Sequence, residues 1–268
     1  STTNFDQLRN SAVGMSKDFG VSLQDVLASM VTFAQMGLKQ SEVVELTRTS
    51  IMATNVTELK ATEATEALTS ATKQFGSESL TSMNILDAWV GTARKHAVTS
   101  VDLATAMMRA GTAAKNAGVT FHELNGIVAA IGSVTRQSGA ELGTAARFIF
   151  QRVRTPKAQA ELAKLGVSPV QGTEMKDFSS IIDEVAGKWD KLSEAQKLSV
   201  AQAVGGVRHY NAFMVLMDNY GEYVQATADS TMSFGEAQRA NNKIMDTVVK
   251  QVGRLKGSYD QFAVGLGD

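Results

Sequence analysis

Gly118-Val119-Thr120-Phe121-His122-Glu123-Leu124 decides how this chain is read, because Gly20-Val21-Ser22-Leu23-Gln24-Asp25-Val26 repeats it nearly a hundred residues earlier. In both, glycine and valine precede a hydroxyl residue, and an acid stands three positions after the hydroxyl. That spacing lets the hydroxyl accept from the third free backbone N–H of a helix while the acid reaches back to the cap's own N–H. Small and apolar residues follow in each copy: Ala28, Met30, Val31 and Ala34 in one, Ile127, Val128, Ala130 and Ile131 in the other. The pattern predicts helices, and it recurs at Thr99…Asp102, Ser138…Glu141, Ser193…Gln196 and Ser233…Glu236. Thr155-Pro156 adds a start with proline at the first helical position. Gly37, Gly76, Gly118 and Gly166 each close an apolar periodic stretch and read as stops.

Working outward, these signals predict about a dozen helices, over 4–18, 22–36, 40–53, 57–75, 79–95, 100–116, 120–135, 139–153, 156–165, 177–190, 193–204, 207–219 and 233–266. Strand evidence is thin, since no β-branched and aromatic run alternates with period two for more than a few positions. The expected fold is all-α, a compact multi-helix bundle. Gly166-Val167-Ser168-Pro169-Val170-Gln171-Gly172 reads as an irregular linker with room for a short extended piece. A helical core domain over 1–232 is expected, with a possible subdomain break near 166–176. Residues 233–268 form the second unit. There Asn241, Met245, Val248, Val252, Leu255, Tyr259, Phe262 and Leu266 follow a 4,3 spacing, so an amphipathic helix leading toward a coiled coil is expected. Gly253 and Gly257 would weaken that helix by about 1 kcal/mol each relative to alanine.

Composition narrows function mainly by exclusion. The 268 residues suffice for a sizeable core, and two prolines leave long helices uninterrupted. Zero cysteines exclude disulfides, thiolate nucleophiles and cysteine-ligated zinc. The net charge of −1 offers no global attraction for nucleic acid or anionic membrane. Locally the charge is uneven: residues 1–93 carry −4, 94–176 carry +6 and 177–268 carry −3. No signal peptide stands at the start, and no apolar run approaches the roughly 18 residues a membrane span needs. The chain begins at Ser1, which reads as a piece of something longer.

Candidate chemistry is sparse. His96, His122 and His209 stand far apart, and none has a partner at the His-Glu-x-x-His type of spacing that binds metal. Asp183, Glu184 and Asp190 could neighbour one another on a helix, but exposed charged faces look the same. Gly205-Gly206 is a lone doublet with no preceding strand to make a phosphate loop. Arg147, Arg152, Arg154 and Lys157 form a basic cluster that suits a helix C-terminus, where cations complement the macrodipole. Without aromatic stacking partners, the cluster offers only weak, salt-sensitive phosphate contact. Leu124–Thr135 is uncharged and reads as a buried helix, with membrane insertion after unfolding as the sharper alternative. No catalytic, cofactor-binding or metal-binding residue is assigned, no cofactor is expected, and an enzyme is not expected.

Several strings in order carry a resemblance. They are Phe33-Ala34-Gln35-Met36-Gly37, Gly118-Val119-Thr120, Leu165-Gly166-Val167, Phe178…Ile181-Ile182 and Gly205-Gly206-Val207-Arg208-His209-Tyr210-Asn211-Ala212-Phe213. Over roughly residues 15–220 the chain resembles the core region of phage tail tape measure proteins of the lactococcal-phage type. Members of that family are far longer than this chain. The resemblance implies a virion component of the tail tube lumen or tail tip, assembled in the bacterial host cytoplasm. It would set tail length and leave the tube at genome ejection, and in some relatives it assists passage across the envelope. The implied partners are tail tube and tail tip or baseplate proteins, further copies through a coiled coil, and transiently the host envelope. No specific nucleic acid is expected. A membrane-active or pore-forming segment delivered at ejection is the alternative, which liposome leakage would reveal. A single helix of this length would extend roughly 400 Å, whereas capped short helices predict a body with a radius of gyration of about 18 Å.

Overall fold

Thr120 caps its helix from both sides, its Oγ1 accepting from the Glu123 N–H at 3.3 Å while Glu123 accepts from the Thr120 N–H at 2.7 Å. This is a computed structural model, which describes residues 2–76, 80–247, 250, 252–256 and 258. Its helices are α1 (Thr2–Phe19), α2 (Leu23–Gln35), α3 (Gln40–Val56), α4 (Ala61–Phe75), α5 (Ser82–Lys95), α6 (Ser100–Asn116) and α7 (Phe121–Thr135). They continue with α8 (Gly139–Arg152), α9 (Pro156–Lys164), α10 (Phe178–Trp189), α11 (Glu194–Asp218), α12 (Tyr220–Thr231) and α13 (Glu236–Met245). The fold is all-α, as the capping pattern predicts. The extended piece expected after Gly166 is a two-residue hairpin, with β1 (Val170–Gln171) antiparallel to β2 (Glu174–Met175).

Local chemistry sets most helix starts. The boxes at Thr99–Asp102, Thr120–Glu123, Ser138–Glu141 and Ser193–Gln196 all close. At α2 only the hydroxyl half forms, Ser22 Oγ accepting from Asp25 N at 3.1 Å. Gly118, at φ 73°, lets the chain turn out of α6, and Val119 N then bonds back to Ala114 O at 2.9 Å. Val119 itself is buried, so the repeated Gly-Val pair is a helix stop with an apolar plug, joined directly to the next start.

Packing brings the helices unusually close where side chains are missing. Gly139 and Gly143 lie one turn apart on α8 and face α6. A Cβ on Gly139 would sit 2.4 Å from the Asp102 carbonyl oxygen, and one on Gly143 would sit 2.7 Å from Ala106 Cα. Asp102 ties the same junction with charge: its Oδ2 serves the Thr99 cap of α6, and its Oδ1 accepts from Gly139 N of α8 at 2.7 Å. A similar approach joins α7 to α12, where a Cβ on Gly126 would meet the Tyr223 carbonyl oxygen at 2.7 Å. Around these contacts Trp89, Phe75 and Phe121 cluster, the Phe75 and Phe121 rings meeting edge-on at 6.0 Å between centroids. One contiguous core of buried side chains runs from Ala12 to Ala237. The uncharged stretch Leu124–Thr135 lies within it, buried through Gly132.

Three expectations differ from the structure. Residues 220–231, read as a connection, form α12, whose cap Asn219 supplies no side-chain bond; tertiary packing on α7 and α5 makes this helix. Ser233 does not box with Glu236, because its Oγ donates instead to Asp229 O at the end of α12. The start of α13 is held by Asp87 of α5, a carboxylate only 2% exposed that accepts from Gly235 N and Ala237 N, both at 2.8 Å. The single helix expected over 233–266 is interrupted: α13 stops at Met245, the chain turns at Asp246 and Thr247, whose N–H groups bond to Asn242 O and Ile244 O, and the described residues 252–256 are helical again. Asn241 and Met245 therefore face the core, while Val252 (59%) and Leu255 (71%) face solvent. Val248, Tyr259, Phe262 and Leu266 lie outside the described residues.

Because the atoms opposite Gly143 are backbone, they cannot yield to a methyl group. Gly143→Ala is expected to destabilise the chain by about 1–3 kcal/mol in urea unfolding. A midpoint equal to wild type would show that α6 and α8 do not meet this closely.

Candidate functional site

The three histidines go to three different places, and each is engaged by its own surroundings. His96, at the end of α5 and 5% exposed, lies between Glu222 Oε1 on Nδ1 (2.7 Å) and Asp229 Oδ2 on Nε2 (3.1 Å). The two carboxylates approach opposite edges of the ring, so they cannot converge on one ion with it. Lys95 Nζ also reaches Asp229 at 2.6 Å, and this bond, first among its contacts, holds the Asp229 carboxyl below the ordinary range. His122 Nδ1 lies 2.9 Å from Ser230 Oγ, which also accepts from Asn125 Nδ2 at 3.0 Å. His209 stacks on Phe148 with centroids 4.9 Å apart. Among the described residues, no group of three His, Cys, Asp or Glu could hold a metal ion.

The carboxylates and the glycine doublet are equally committed. Asp183 accepts from the Tyr220 hydroxyl, Glu184 pairs with Lys176, and Asp190 forms the C-cap of α10. Desolvation, then the Asp183 contact, raises the Tyr220 phenol well above its usual value. Burial raises Tyr223 similarly. Gly206 breaks α11 into two halves at φ 69°, ψ 179°, which matches the two spans expected around Gly205-Gly206.

The basic cluster is redistributed. Arg154 donates to Asn116 O at the end of α6 rather than to its own helix, while Lys157 is exposed. Arg147 lies over Phe148 at 5.5 Å, and Arg152 packs against Gly206. The aromatic partner that the sequence seemed to deny this cluster is Phe148, exposed by 39%, with His209 brought to it from α11. An arginine on each side of Phe148, at 147 and 152, is the one sequence signal that could have marked it.

What recurs across these sites is the use of polar side chains to bind helix ends and neighbouring helices. Residues 9–206 match the family model of phage-related minor tail proteins, about three-quarters of the chain. The chain belongs to this family. No solved structure matches it. The family match to the minor tail proteins ends at the Gly206 break, and the second half of α11, α12 and α13 then pack back over α7, α5 and α3. Membership gives this minor tail protein a structural role in the tail and a place in the virion. No helix among its described residues is long and apolar enough to cross a membrane.

Burial holds the His122 imidazole below its ordinary value of 6.5. The unfolded chain therefore takes up the proton first as pH falls, and the stability carried by neutral His122 is present above about 6.5 and lost below it. Urea titrations between pH 7.5 and 5 are expected to show stability falling with pH, and a shallower fall in His122→Asn. Equal slopes in the two proteins would remove His122 from the acid sensitivity.

Proposed function

We propose that this chain is part of a tail tape measure protein and forms a compact station along the tape, near the tail tip or held at intervals in the tube. The family match over residues 9–206 carries this reading. The short, separately capped helices support it further, because they bury a shared core instead of extending as one rod. An unbroken helix of this length would reach roughly 400 Å, so tail length is measured by other parts of the tape. The chain contributes packing, and its partners are tail tube and tail tip proteins.

The station and the tape are tested separately. Small-angle scattering of the purified chain is expected to give a radius of gyration of about 18 Å; a rod-like profile would overturn the compact station. In virions, shortening the reading frame outside this segment is expected to shorten the tail by about 1.5 Å per residue removed. Tails of unchanged length would overturn the tape measure assignment while leaving the chain a minor tail protein.

A further inference from the structure

Most arginines on this body are satisfied by neighbours. Arg48 faces Asp18, Arg94 and Arg239 share Glu236, Arg136 donates to Ala97 O and Arg154 to Asn116 O. Five are not. Arg254 packs beside Gly20, and the other four are Arg109 on α6, Arg147 and Arg152 on α8, and Arg208 on α11, whose guanidinium groups have no hydrogen bond or ion pair among the described residues. These four gather on one side of the molecule. A Cβ on Gly143 would touch Arg109 Cβ at 2.8 Å, placing Arg109 against α8, and a Cβ on Gly206 would lie 3.0 Å from Arg152 Nε. Arg109, Arg208 and His209 line one groove of about 410 Å³ between α6, α8 and the second half of α11.

Leaving these charges uncompensated has a cost. Arg152 is half-buried, and its Nε is fully shielded yet unpartnered. A shielded, unpaired cationic donor is unfavourable, and nearby like charges add repulsion. The one carboxylate in the groove lining is Glu141, and it is already committed: its Oε2 accepts from Ser138 N at 2.9 Å and Ser138 Oγ at 2.7 Å, at the positive end of α8. An anion from outside would complete this arrangement, and guanidinium forks favour planar, bidentate oxyanions.

We propose that the groove between α6, α8 and the second half of α11 binds the phosphodiester backbone of single-stranded nucleic acid, without regard to sequence. The ring pair favours this over an acidic peptide. His209, which lines the groove, stacks within 19° of parallel on Phe148 beside it, and a base can add a further layer on the His209 side of this pair. Burial and Arg208 hold the His209 imidazole below its usual value, so it is a neutral ring near pH 7. A peptide carboxylate has no use for such a platform. The recess suits a single strand, whereas a duplex presents its phosphates on a wide rigid rod.

The test is fluorescence anisotropy of the whole chain with a labelled mixed-sequence 20-nucleotide DNA strand. Binding is expected at about 10–100 µM near physiological salt, weakening about 20- to 50-fold between 50 and 200 mM salt, as three or four neutralised phosphates require. Arg152→Gln with Arg208→Gln is expected to weaken binding at least tenfold and to reduce the log–log salt slope by about 1.4. Because Arg152 is half-buried, Arg109→Gln with Arg208→Gln, both exposed, is measured alongside and is expected to act the same way. Lys17→Gln with Lys73→Gln, away from the groove, is expected to change neither. No binding at 50 mM salt, or arginine variants that bind like wild type, would overturn the proposal. Poly-glutamate displacing the strand at equal charge would reassign the groove to an acidic protein partner. A duplex of the same sequence binding more tightly would place the contact outside the groove.

Discussion

The closeness of α6 and α8 is the constraint on which the other contacts depend. Two glycines one turn apart remove the side chains that would hold the helices at the usual 8–10 Å between axes. Backbone then meets backbone at Asp102 and Ala106, and the Asp102 carboxylate can serve the starts of both helices at once. That fixes the direction in which α7 leaves its turn at Gly118 and presents Phe121 to Trp89 and Phe75. It also places the outer face of α8, carrying Phe148 and Arg152, where the broken α11 can reach it.

How much of this could be read beforehand depends on the range of each interaction. The span 100–116 read from sequence coincides with Ser100–Asn116, because both ends of α6 are written locally: a hydroxyl–acid box opens it and a glycine in the left-handed region closes it. The end of α3 lies at Val56 rather than at residue 53, because no glycine marks it: Thr57 closes the helix with its N–H and its hydroxyl both donating to Ala53 O, the hydroxyl also accepting from Leu59 N. Helix α12 escaped detection altogether, for its stability resides in contact with Gly126 of α7, about a hundred residues earlier. Asp87 is a similar case. An acid amid Ile85, Leu86, Ala88 and Trp89 signals a buried charge with a purpose, but nothing in sequence says that its purpose is the start of α13.

The candidate surface shows the same divide. The basic residues at 147–157 were visible as a cluster, yet the fold divides them among three tasks and recruits Arg109 and Arg208 from elsewhere. Stacking of His209 on Phe148 joins residues 61 positions apart, so no spacing rule reports it. The histidines, which sequence spacing leaves without partners, find them through the fold: His96 and His122 fasten α12 to α5 and α7.

The meeting of the early and late parts of the chain has a mechanical consequence. Gly20, between α1 and α2, touches the segment around Lys250 and Gly253, while Asn55 Nδ2 donates to Asn241 Oδ1 and accepts at Oδ1 from Lys250. Tension drawn along the polypeptide from both sides would load these few polar contacts one after another, as a zip opens, rather than shearing the whole interior together. A body joined in this way is closed on itself by a handful of polar contacts between residues nearly two hundred positions apart, so a single substitution such as Asn55→Ala would loosen both ends at once.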